Sequence, residues 1–321
     1  MSILSKTYFH DEAEAFRHVE SILWADGPVC PHCGTINEAT HLKGVRTKPS
    51  KKNPEGIERH GLYKCNSKEC RKQFTVRKGT IFEESHLPMF KWLQAIYLMC
   101  SSKKGISAHQ LHRVLEVQYK TAWFLAHRIR EAMRSGELPP MGGGGGDVEV
   151  DETFIGTEPG SKKKQGGFGH KMKVLSLVDR ETKQARSVVI DRVSRSEIMP
   201  ILQENIAKEA RLLTDEARHY RGIKWESGHS DHKSVNHSRE EWVSHKDRTV
   251  HTQTVENYFS VFKRGMKGTY QHCGKQHLHR YLAEFDFRYN NRSANGIEDG
   301  ERAIIALRSV GGKRLTYGRP S

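Results

Sequence analysis

Five consecutive glycines, Gly142 to Gly146, follow Pro139 and Pro140 near the middle of the chain, and regular structure does not run cheaply through such a stretch. The run predicts a linker over residues 137–146 and a boundary between two differently built halves. Before it, apolar residues recur at helical spacing: Phe16, Val19 and Leu23, then Phe90, Leu93, Ile96 and Tyr97, then Leu111, Val114 and Leu115, then Ala122, Leu125, Ile129 and Met133. After it the period shortens to two, or to brief apolar runs, in Val148 to Ile155, Val174 to Val178, Ser187 to Ile190 and Leu212 to Thr214, which read as strands. Helical patterns return at Ser196 to Ala210, Thr254 to Met266 and Leu278 to Tyr289, so the second half reads as α/β with a mixed sheet.

At 321 residues the chain has room for two or three domains. Its 53 Lys and Arg against 38 Asp and Glu leave a net charge of +15, which points to a polyanionic partner. There is no apolar run of membrane-spanning length and no signal-peptide pattern, so a membrane partner is not expected and a reducing cytoplasm is. In that compartment the six cysteines favour metal over disulfides. Cys30 and Cys33 sit in CPHC, a spacing that lets two thiolates reach one tetrahedral ion, and Gly34 lets the backbone fold over it. Cys65 and Cys70 would complete a four-thiolate structural Zn2+ site, with His32 or His60 as substitutes for Cys70. A basic stretch from Arg46 to His60 interrupts this segment as an exposed loop.

Residues 106–134 carry a helix-turn-helix pattern: Ser107 caps one helix, Glu116 to Gln118 turn, and a second helix begins near Tyr119. Lys120, Thr121, Trp123, His127, Arg128 and Arg130 decorate that second helix, a basic face suited to DNA phosphates. The alternative is a helix pair that merely packs.

Asp151 lies in the strand pattern VEVDETFIG, and Asp215 ends the run Leu212, Leu213, Thr214. Acids at the ends of apolar strands are costly unless they hold a cation. Glu256 and Lys263 are seven residues apart on a helix, and seven steps of about 100° return to within about 20°, so both leave one edge of it. Val255, Tyr258, Phe259, Phe262 and Met266 form that helix's buried stripe. Three carboxylates from two strands and one helix suit two Mg2+ or Mn2+ ions performing displacement at phosphorus, with Lys263 and Arg264 on DNA phosphates. Glu149, Glu152, Asp179 and Asp231 compete for the acidic roles, and Glu149, on the face of Asp151, is a possible spare ligand.

With these motifs in place, the sequence resembles the zinc-ribbon DDE transposases of bacterial insertion sequences, the ISXO-type group related to the Merlin transposons. The likeness runs through CPHCG, YKCNSKECRKQFTVRKGTIFEESHLP, KKGISAHQLHRVL, KTAWFLAHRIREAM, VEVDETFIG, LLTDEARHY, VNHS and HTQTVENYFSVFKRGMKGTYQHC. The resemblance implies a ribonuclease H-like catalytic domain with a DD(E/N)K site, carried over onto Asp151, Asp215, Glu256 and Lys263. Asn257 is adjacent to the third acid, and register with Lys263 favours Glu256. It further implies cleavage at terminal inverted repeats, strand transfer to target DNA and a homo-oligomeric synaptic complex on the nucleoid, with no small-molecule substrate. The expected organisation is an N-terminal helix at 1–27, zinc ribbon at 28–80, helix-turn-helix-like domain at 86–136, linker at 137–146, ribonuclease H-like domain at 147–295 and a tail at 296–321. Two other functions fit parts of the pattern: a zinc-ribbon transcription regulator, which leaves the carboxylates unexplained, and a structure-specific nuclease, which leaves the DNA-reading modules unexplained.

Overall fold

The computed structural model describes residues 2–313 and 315 apart from 52, 137, 159, 162–166 and 224–230. Two compact units share the chain: Met1–Ser102 with Ile106–Met133 and Glu298–Ser321, and Lys103–Gly105 with Arg134–Ile297. No helix among the described residues is long and apolar enough to cross a membrane.

In the first unit, helix α1 (Glu12–Leu23) starts where the Asp11 carboxylate accepts a hydrogen bond from the Glu14 N–H at 2.8 Å. Strands β1 (Ala39–His41), β2 (Tyr63–Cys65) and β3 (Gln73–Phe74) form a small antiparallel sheet in that order. Helices α2 (Met89–Ser101), α3 (Ala108–Leu115) and α4 (Tyr119–Met133) follow. Ser107 caps α3 through the Gln110 N–H, and Glu116 ends it in the left-handed region, as the sequence pattern anticipates.

Residues 296–321 are not simply a tail. Helix α8 (Asp299–Arg308) returns to the first unit and packs against α2, burying Ala303, Ala306 and Leu307. Arg302, itself buried, donates to the Cys100 carbonyl oxygen at 2.9 Å. Its apolar stripe spans too few turns to stand out beside the long helices. Beyond Lys313 and Leu315 the basic tail lies outside the described residues.

In the second unit, strands β4 (Asp147–Ile155), β5 (Met172–Asp179), β6 (Ala185–Ile190), β7 (Arg211–Thr214) and β8 (Asp231–Ser234) form one sheet in the order β6-β5-β4-β7-β8. The first three run as an antiparallel meander, and β7 and β8 add parallel to β4. This is the ribonuclease H-like arrangement expected from the sequence. Period-two alternation then sorts the side chains between faces. Val148 and Val150 join Leu175, Leu177 and Leu212 against helix α5 (Arg195–Asn205). Ile155, Val174 and Val178 face helices α6 (Gln253–Gly265) and α7 (Lys275–Asn290), meeting Val255, Phe259, Phe262 and Leu282. The odd-numbered side of β4 therefore looks toward the helix that carries Glu256.

The glycine run differs from the expected linker. The Gly142 N–H donates to Asp179 at 2.9 Å, Gly146 N–H to the Gly142 carbonyl at 3.1 Å, and the Arg211 N–H to the Gly146 carbonyl at 3.1 Å. A Cβ on Gly142 would lie 2.6 Å from Ala210 Cβ and 2.7 Å from Val148 Cγ2, and its φ is +73°. Here glycine supplies close approach and left-handed turning, so the run leads directly into the sheet. The break between units falls at Met133 and Arg134 instead.

Leu307→Ala is expected to lower the unfolding free energy of the first unit by about 2–5 kcal/mol; a solvated tail would show no change in a thermal or denaturant melt.

Candidate active site and metal centre

Glu149 has no solvent-exposed side chain, and its oxygens are fully engaged. Its Oε2 accepts from the backbone N–H groups of Thr254 and Val255 at 2.8 Å each, and its Oε1 from Thr254 Oγ1 at 2.7 Å. Arg180 Nε completes the set at 2.6 Å. Thr252, at the N-cap of α6, makes no side-chain cap hydrogen bond, so a strand carboxylate caps this helix in its place. Glu149 is thereby occupied with orienting α6, and the spare-ligand reading does not hold.

Asp151 lies two residues along on the same face of β4. Its Oδ1 accepts from the Glu152 N–H at 2.7 Å. Burial, and then the charges of Glu152, Asp215 and Glu256, hold its carboxyl well above the usual range. Asp215 follows β7, and its Oδ1 accepts from the Ala217 N–H at 3.0 Å. Burial raises it, as do Glu152 and Glu216, against that hydrogen bond. Glu256 stands in the first turn of α6, where its Oε1 accepts from Thr252 Oγ1 at 2.8 Å. Each acid thus has one oxygen held locally, while its second oxygen accepts no protein hydrogen bond among the described residues. Lys263, seven residues or about two turns beyond Glu256, is partly buried; burial lowers it while the Asp151 charge pulls it back up. Arg264 is exposed, its Nε donating to the Ser260 carbonyl at 3.1 Å. Asn257 is exposed, one helical step away from this edge.

The remaining competing acids are engaged elsewhere. Glu152, on the opposite face of β4, accepts from Tyr220 Oη and lies 3.0 Å from His219 Nε2. Although burial pulls His219 down, its bond to Glu152 holds the imidazole above its ordinary value. Asp179 ties the turn after β5 through the Glu181 and Thr182 N–H groups. Asp231 pairs with Lys233 at 3.6 Å.

Sequence reasoning missed His237. Its Nε2 is 3.7 Å from Glu256 Oε1 and 3.4 Å from Thr252 Oγ1. Glu216, next to Asp215, accepts from the His237 and Ser238 N–H groups at 2.9 Å each and from Ser238 Oγ at 2.5 Å. Against the burial that would raise it, these bonds draw Glu216 down to about 2. The quoted VNHS motif was the only signal, and a histidine in a loop announces no partner.

In the first unit the four cysteines converge, with all sulfurs within 4.8 Å of one another. Cys30 and Cys70 are 3.7 Å apart and Cys33 and Cys65 3.6 Å. Tetrahedral Zn2+ with Zn–S near 2.3 Å sets sulfurs about 3.8 Å apart, so the donor set fits zinc with Cys70 included. Hydrogen bonding from Thr35 draws the Cys33 thiol down to about 6, and burial pushes Cys30 up to about 11.

The face expected to read DNA needs correction. Arg128 and Arg130 are 5% and 2% exposed, and His127 is buried with them. Arg128 donates to the Glu83 carbonyl at 2.7 Å and lies over the Trp92 and Phe124 rings. Glu131 is half-buried, but both cations in the C-terminal half of α4 are buried in protein and are not presented to solvent. Lys120 and Thr121, in the first turn, are exposed.

Residues 144–290 match the ISXO2-like transposase domain and residues 10–73 the transposase zinc-ribbon domain. Over 298 residues the chain is 24% identical to an uncharacterized protein in transposable element ISH50 of Halobacterium salinarum, covering 87% of this chain and 91% of that protein. A cryo-EM structure of the simian T-cell lymphotropic virus intasome with PP2A regulatory subunit B56 gamma aligns with 55% of this chain and 67% of that one. That alignment has 12% identity and a TM-score of 0.30.

Glu149→Ala removes the cap and strands Arg180, so a loss of about 3–5 kcal/mol in stability is expected from denaturant unfolding. Paired Cys33→Ser and Cys65→Ser replacements are expected to abolish about one bound zinc per chain by elemental analysis; unchanged zinc would refute the four-sulfur site.

Proposed function

Because the chain belongs to the insertion-sequence transposases with an N-terminal zinc ribbon, we propose that it cleaves DNA at its element's terminal inverted repeats and joins the ends to target DNA. The observation that carries the proposal is the set of three acids, each with one oxygen held locally and a second that accepts no protein hydrogen bond among the described residues, with Asp151 raised first by burial and then by the charges of Glu152, Asp215 and Glu256. Such a set is disfavoured alone and suited to divalent cations. Asp151, Asp215 and Glu256 would hold two Mg2+ or Mn2+ ions, which supply activation of the attacking hydroxyl and stabilisation of the leaving oxygen at phosphorus.

The chain's own groups do the rest. Lys263 neutralises a phosphate beside Asp151, and Arg264 extends the cationic edge. Glu149 and Arg180 tie the N-terminus of α6 to β4, which keeps Glu256 on the side of the sheet that carries Asp151. Lys120 and Thr121 contact the element ends at the start of α4, while Arg128 and Arg130 hold that helix in its unit. Zn2+ on the four cysteines stabilises the ribbon. Two ends must be held at once, so the working form is a homo-oligomer on DNA.

Strand transfer of a labelled element end with Mg2+ or Mn2+ tests this. Wild type cuts and joins; Asp215→Ala and Glu256→Gln retain DNA binding and lose at least about a thousandfold in cutting. Binding without metal-dependent cutting marks a regulator, and cutting without joining marks a nuclease.

A further inference from the structure

Trp242 is 56% exposed, although a large indole on a monomer's surface is ordinarily covered. Its ring centroid lies 4.8 Å from that of His237 at an interplanar angle of 38°. One imidazole therefore separates the indole from Glu256, whose Oε1 is 3.7 Å from His237 Nε2.

The backbone on both sides of Trp242 is pinned. The Glu241 N–H donates to the Asn236 carbonyl at 3.1 Å, and Val243 bridges to His251. The Ser244 N–H donates to the Val250 carbonyl at 2.9 Å, closing the loop that follows. Glu216 holds the other end through the His237 and Ser238 N–H groups. The indole is presented from a fixed frame, which lowers the entropy cost of binding against it. Of the nearby acids, Asp247 is paired with Arg211 at 3.2 Å, Glu241 accepts from the His245 N–H and Glu240 is exposed, beside three exposed cations, Arg239, Lys246 and Arg248.

We infer that Trp242 is a stacking platform for a nucleobase unpaired beside the phosphate that is cut. The inference rests on the proposed function, which puts a phosphate at Glu256. A base and its own phosphate are separated by one sugar, and here the platform and the carboxylate are separated by one imidazole. An aromatic face receives any base, so the platform favours an opened end without reading sequence. His237 is its bracket, a positioning residue between the ring and the acid.

The test uses full-length protein and element ends carrying 2-aminopurine at positions flanking the cut. Wild type is expected to alter the 2-aminopurine emission at one position on binding; Trp242→Ala abolishes this change and Trp242→Phe keeps part of it. Trp242→Ala also slows cutting of paired ends roughly tenfold, the scale of one lost stacking contact, and a mismatch at that position restores the rate. Asp215→Ala separates the two claims, because it stops cutting while keeping the emission change. Emission and cutting by Trp242→Ala equal to wild type overturn the platform while leaving the transposase reading intact. Unchanged emission together with an altered sedimentation profile overturns it in favour of a contact between copies of the chain.

Discussion

The capping of α6 by Glu149 is the interaction on which the candidate site depends. A helix N-terminus leaves several N–H groups without partners. Here two of them are satisfied by a carboxylate from the neighbouring strand, buried and also paired with Arg180. Such engagement offsets the cost of burying the Glu149 charge. The same contact that satisfies Glu149 sets the distance between β4, which carries Asp151, and the helix that carries Glu256.

The division of labour among acids follows from it. Glu149 and Asp151 share one face of β4, yet one is fully hydrogen-bonded and the other keeps an oxygen without a protein partner among the described residues. Glu152, on the other face, is braced by Tyr220 and His219. Three acids within four residues therefore serve three purposes: orientation of a helix, the candidate metal edge, and support from behind.

Much of this was legible in the sequence where periodicity or spacing reports on packing directly. The strand alternation around Asp151, the seven-residue step from Glu256 to Lys263, and the cysteine pairs each correspond to observed structure. What stayed hidden was set by tertiary partners. Nothing local to Arg128 indicates that Trp92 and the Glu83 carbonyl will enclose it. The glycine run had the composition of a linker, and only the nearness of Ala210 and Val148 reveals its use in packing. The contact of His237 with Glu256 joins residues from separate elements, with no periodic signal between them.

The pairing of β4 carries one more consequence. Val148 pairs with Leu212, and Glu149 with Leu213. A slip of β4 by a single residue would exchange its two faces, bringing Val148 or Val150 to the end of α6 and turning Asp151 toward α5. The misaligned strand would at once leave the helix uncapped and bury a charge among aliphatic side chains. The acids thus act as a proofreading device for strand alignment, because the register that caps α6 is also the one that turns Asp151 toward that helix.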